Sequence, residues 1–290
     1  MFKTALVPLL GQENDKEALE TAREIMLDDN GHLDCLYVRD DAAAIVSCIQ
    51  TDALGVPVAS PELIDALNRE AEAQKARSRQ AFDHFCHANG IVDQSSPGAG
   101  QLSAAWREMS ADVPNAVLAA ARYNDAVILK RSRSPLQMAL SDLGRIVMGS
   151  GRPILIFPED RLPRPVRRVA VAWKNTAEAA RAVSAAIPIM AKAREIVLIA
   201  ASEGSGLKET EKSLSACAAF LRWHGLDPRI RCMESDAEDA KSLVFAEAAG
   251  AGADLVVMGA YGHSRMQELV FGGFSRRVLS ESNLPVMLVH

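Results

Sequence analysis

DLVVMGAYGHSRMQELVFGGFSRR, running from Asp254 to Arg277, decides how this chain is read. Leu255 to Met258 is a short, β-branched apolar run, the pattern of a parallel strand covered on both faces. Gly259 and Gly262 follow it with two residues between them, and nine residues separate Gly262 from Gly272. Glycine reaches backbone conformations closed to other residues and lets a ligand approach the main chain, so a strand ending in GxxG can turn its amides toward an anion. Gly272 and Gly273 precede Phe274 to Glu281, which reads as a helix whose N-terminal partial positive charge faces the same place. The plainer reading is that these glycines only turn the chain.

Working outward, the same order of elements occurs twice. Ala5 to Leu9 and Val169 to Trp173 are short apolar strands, each followed by an alanine-rich helical stretch, Asp15 to Met26 and Thr176 to Met190. Second strands follow at Leu33 to Val38 and Glu195 to Ala200, then helices at Pro114 to Arg122 and Ala237 to Ala249. DAVIL at Asp125 answers DLVVM at Asp254, and RPILIFP at Arg152 answers LPVMLVH at Leu284. The aspartate lies 28 residues before the closing proline in the first copy (Asp125, Pro153) and 31 in the second (Asp254, Pro285). Strands alternating with helices at this spacing predict parallel sheets with right-handed crossovers and helices on both faces. The expected division is two tandem α/β domains, 1–160 and 161–290, with the boundary in PEDRLPRPVRR, where Pro158, Pro163 and Pro165 interrupt any central strand or helix.

The first copy is longer, because Arg39 to Pro61 adds an irregular excursion before a helical stretch from Glu62 to Asn89. Leu63, Leu67, Ala71, Phe82 and Phe85 recur there at helical spacing and are expected in the core, as are Trp106 and Trp223. Where the second copy has its glycines the first reads LKRSRSPLQ, so no backbone cradle is expected; Lys130, Arg131 and Arg133 read as a solvated loop at a strand end. The glycines near 98–100 and 204–206 read as turns rather than as a strand-to-helix fingerprint.

Composition bounds the function. The 290 residues are 49% hydrophobic and 24% charged, with net charge −5, which disfavours a general nucleic-acid surface. No apolar run reaches the roughly 18 to 20 residues that span a bilayer, so a cytoplasmic protein without a membrane partner is expected. The five cysteines are scattered with no CxxC pair, which predicts reduced thiols. His84, Cys86 and His87 are the densest soft-ligand cluster, but Cys86 turns away from the face the two histidines share, and no metal site is expected. Neither GxSxG nor GxxxxGK[ST] occurs, and the adjacent His263 and Ser264 supply no nucleophile, base and orienting acid. Binding is expected rather than catalysis, with slow nucleotide hydrolysis as the upper bound.

Two repeated α/β copies, each closed by an apolar strand, together with the glycine stretch, resemble the universal stress protein family in its tandem form over nearly the whole chain. The resemblance implies a five-stranded parallel sheet in each domain, flavodoxin-like or adenine nucleotide alpha hydrolase-like, with ATP or a related adenine nucleotide, with magnesium, at the carboxyl ends of the strands. That location agrees with the general rule for open α/β sheets. Carried onto this chain, the site comprises Trp173, Lys174, Asn175 and Thr176 after the first strand, Met258, Gly259, Gly262, His263 and Arg265 after the fourth, and Gly272, Gly273, Phe274 and Ser275 at the helix. Two departures stand out. Nucleotide-binding members carry an acidic residue after the first strand where this chain has Lys174, a donor only, leaving Asn175 or Thr176 as acceptors. The hydroxyl residue after the last glycine is displaced to Ser275. The resemblance further implies pairing through the closing strands, satisfied within the chain by Ile154 to Phe157 against Val286 to Val289, or between chains in a homodimer. A scaffold that takes no nucleotide and works through protein contacts is the alternative function.

Overall fold

The computed structural model describes residues 2–26, 30–39, 61–94, 100–131, 140–203, 206–235, 240–260 and 283–290. Each copy begins with a strand and a helix: β1 (Thr4–Leu9) and α1 (Asp15–Met26), then β7 (Arg168–Ala172) and α5 (Ala177–Met190). The first copy continues with β2 (His32–Arg39), α2 (Pro61–Asn89), β3 (Val92–Asp93), β4 (Ser103–Ser110), α3 (Val113–Ala121), β5 (Ala126–Lys130), α4 (Leu140–Gly149) and β6 (Ile154–Phe157). The second has β8 (Glu195–Glu203), α6 (Leu207–Trp223), β9 (Arg229–Ser235), α7 (Ala240–Gly250), β10 (Leu255–Gly259) and β11 (Val286–Val289).

Among the described residues, eleven strands form one sheet in the order β3-β4-β2-β1-β5-β6-β11-β10-β7-β8-β9. Read outward from its middle, β6-β5-β1-β2-β4 and β11-β10-β7-β8-β9 are the same arrangement, and the first copy adds the two-residue β3 as a sixth strand. Neighbouring strands run parallel except β6 and β11, which meet antiparallel with Leu155 opposite Met287. The two closing strands thus pair within the chain.

Alternation along the strands divides the core. Val7, Cys35, Val171 and Leu198 face α1, α2, α5 and α6, whereas Leu6, Leu36, Ala170 and Ile199 face α3, α4 and α7. The repeated aspartate has one task in both copies. Asp125 accepts from the backbone N–H groups of Lys3 (2.7 Å) and Thr4 (3.1 Å), and Asp254 from those of Arg167 and Arg168 (3.0 Å each). Asp125 ties the start of β5 to the start of β1, and Asp254 the start of β10 to the start of β7. Asp254 also pairs with Arg161 at 3.1 Å and Arg164 at 2.6 Å, fastening the proline-rich connection to the second copy.

Some core expectations are corrected. Phe82 and Phe85 are buried, but Leu63 is exposed, because the first turns of the 29-residue α2 face solvent among the described residues. Trp223 is 91% exposed at the last residue of α6. Trp106 is half-buried and stacks on Tyr37.

Candidate functional site

The chain reverses its direction of travel across the sheet between β7 and β10: β8 and β9 are laid down on one side of β7, then β10 on the other. Crevices form outside the carboxyl ends of strands at such a switch. Met258 lies opposite Ala172, so Trp173 to Thr176 and Gly259 emerge side by side. These are the described members of the expected site. Gly262, His263, Arg265, Gly272, Gly273, Phe274 and Ser275 lie outside the described residues.

Local bonding shows what each side chain is free to do. The Trp173 amide continues the pairing with β8 by donating to Ile199 O, and its indole N–H donates to Ser213 Oγ of α6 at 2.9 Å. Its polar tip is therefore committed to α6, while Lys174 and Asn175 are exposed. Thr176 is the N-cap of α5, its hydroxyl accepting from Ala179 N. As an acceptor for a ligand, Thr176 is thus already engaged, and Asn175 is the open polar group.

Sequence reasoning passed over an acidic residue that stands here, in the first turn of α5. The Glu178 carboxyl is held below its usual range by its own backbone N–H, against the opposing effect of burial, with further help from the Thr176 hydroxyl and Arg181. Arg181 pairs with Glu178 at 3.0 Å and donates through Nε to the carbonyl of His290, whose Nδ1 donates to Ala260 O. This chain of contacts locks α5 to the ends of β10 and β11. Gly259 has its own reason for lacking a side chain: a Cβ there would lie 2.5 Å from Ala179 N and 2.6 Å from Glu178 C. Close approach of α5 to the strand end requires this glycine, whatever else the glycine stretch does.

In the first copy a helix of the protein itself reaches the ends of β2 and β4 and the segment beyond β1. From α2, Ala71 O accepts from the Tyr37 hydroxyl, Glu72 pairs with Arg39, Lys75 pairs with Glu108, and Arg77 Nε donates to Gly11 O. These partners sit at the carboxyl ends of β2 and β4 and just beyond β1. Gly11, with φ +70°, accommodates the backbone of Gln74 where a Cβ would fall. Asp15 is buried and accepts from Leu10 N at 3.0 Å and Gly11 N at 2.8 Å. Lys130 belongs to no solvated loop: its side chain is 2% exposed, donates to Arg161 O at 2.6 Å and pairs with Glu17. Among the described residues, no group of three or more His, Cys, Asp or Glu is placed to hold a metal ion, and no helix is long and apolar enough to cross a membrane.

Comparison with known proteins bears on this arrangement at two levels. Residues 202–290, which include the glycine stretch, match the Universal stress protein family. In fold, a universal stress protein from Archaeoglobus fulgidus superposes with a TM-score of 0.66 at 18% identity, covering 99% of this chain and 95% of that one. A putative universal stress protein from Pseudomonas aeruginosa gives 0.62 at 17% identity, covering 99% and 93%. No curated protein matches the chain in sequence. The chain is therefore a tandem α/β protein with the fold of universal stress proteins along its length, and it carries that family's sequence pattern in its second half.

Proposed function

We propose that the chain is a cytoplasmic stress-response regulator that binds ATP or a related adenine nucleotide, with magnesium, in a second domain spanning 161–290. The first domain, 1–160, serves structure or partner contact. The observation that carries this reading is the β7 and β10 switch, where Gly259, the first glycine of the sequence's GxxG, ends a parallel strand beside an exposed loop, Lys174 to Asn175. The family match over the same stretch supports it. α2 lying over the first copy's strand ends supports confining the nucleotide to the second. Lys174, a cation where acceptors are wanted, favours phosphate over ribose hydroxyls as its partner. The same residue is what favours the nucleotide-free scaffold as the second reading. Denaturing the purified protein and analysing the released small molecules by chromatography and mass separates the two. Adenine nucleotide in the supernatant, or a rise in melting temperature with ATP and magnesium, is expected; neither effect leaves the scaffold.

A further inference from the structure

The turn between β8 and α6 was expected to be a plain loop, yet it joins the carboxyl end of a parallel strand to a helix of 17 residues. Its sequence is Ser202-Glu-Gly-Ser-Gly206, and the two residues before Gly206 lie outside the described ones. α6 begins without a side-chain cap, since Gly206 offers none. The amides of Leu207, Lys208 and Glu209 open the helix, where no intrahelical acceptor exists for them. Helix N-termini of this kind attract anions, but most are satisfied by a cap or by water. A second feature sets this one apart. Ser202 is 2% exposed, and its hydroxyl has no hydrogen-bond partner. A Cβ placed on Gly206 would have Ser202 Oγ as its neighbour at 3.5 Å, so the orphan hydroxyl points at the uncapped end of the helix. Thr21, the other buried orphan among the described residues, sits inside α1 and faces no such amides.

A buried hydroxyl left unpaired is unfavourable, and so is a bare helix start; one acceptor placed between them relieves both. Lys208 and Glu209 beside it are exposed and of opposite charge, so the attraction rests on the amides and the hydroxyl rather than on net charge. We infer that Ser202 and the first turn of α6 form a binding site for a phosphate or phosphomonoester group. It lies at the end of β8, one strand out from the β7 and β10 switch, and does not use the glycine stretch. It therefore stands or falls separately from the nucleotide reading.

Titrating the full-length protein with inorganic phosphate, and in parallel with glycerol 3-phosphate, tests it by calorimetry and by amide NMR. Saturable binding is expected from one or both, with the Leu207, Lys208 and Glu209 amide resonances moving. Ser202→Ala should weaken it roughly tenfold, as for loss of one hydrogen bond to a charged group. Gly206→Asp keeps an allowed backbone, with φ −83° and ψ 10°, and supplies its own cap. It should abolish binding while the melting temperature holds or rises. Gly262→Arg should leave phosphate binding intact. The proposal is overturned if neither probe saturates, if the moving resonances lie elsewhere, or if Ser202→Ala and Gly206→Asp bind as the wild type does.

Discussion

Asp125 and Asp254 show how much one side chain carries here. Asp254 accepts two backbone N–H groups and two guanidinium groups in a half-buried position, whereas Asp125, among the described residues, accepts the pair of backbone groups alone. Asp254→Ala should cost about 2 to 4 kcal/mol and Asp125→Ala about 1 kcal/mol in urea unfolding. Equal costs would refute the clamp on the interdomain connection. Gly259→Ala forces a methyl against the α5 backbone and should cost about 1 to 3 kcal/mol, read as a lowered melting temperature. Burial raises the Cys86 and Cys217 thiols to about 11 and Cys35 well above its ordinary value. Iodoacetamide at pH 8 should therefore spare these three in the native protein, as peptide mass mapping would show. Because the folded values of Cys86 and Cys217 exceed the ordinary 9.0, their contribution to stability is present below that pH and fades as pH climbs from 9 through about 11. The repeated aspartate was visible in the sequence as a repeat. Its task was not, since the amides it binds open a strand far away in the chain. Trp223 misled for a related reason: the residue type favours burial, but its position at a helix end faces solvent.

At the scale of elements, α2 separates the two copies. Its 29 residues span about 43 Å at 1.5 Å per residue, enough to cross the ends of three strands. α6 stands in the corresponding place with 17 residues and contacts the first strand's end through Trp173 and Ser213. Asp15 records the coverage in its titration. Burial pushes its carboxyl up from 3.8, against the backbone N–H groups of Leu10 and Gly11 and the Ser78 hydroxyl of α2. A raised folded value means that its contribution is full below 3.8 and lost as pH rises through the folded value. Relative to Asp15→Asn, the wild type should lose stability as pH rises from 3.8, measured by urea midpoints across that range. A constant difference between the two would show Asp15 to be solvated. Helical spacing revealed α2 as a helix and identified Phe82 and Phe85 as core. It gave no sign of which strand ends the helix would cross, because that depends on the long excursion preceding it.

At the scale of the molecule, the repeat predicted parallel strands alternating with helices in two copies, because period and punctuation suffice for that. Pairing of the closing strands came from the resemblance, which left it open within the chain or between chains; the structure has it within the chain. With β6 and β11 joined, the sheet has its middle where two isolated domains would each have an exposed edge. Amides of Val286 to Val289 should accordingly rank among the most protected in hydrogen exchange; rapid exchange there would mean that the halves part readily. The same architecture makes the two copies unequal: α2 reaches the ends of β2 and β4 and the segment beyond β1 in the first, whereas the second sets exposed Lys174 beside Gly259. Calorimetric titration with ATP and magnesium weighs this asymmetry most directly. One nucleotide bound per chain, abolished by Gly262→Arg, is the predicted result. Two per chain, binding indifferent to Gly262→Arg, or no binding at all would contradict it.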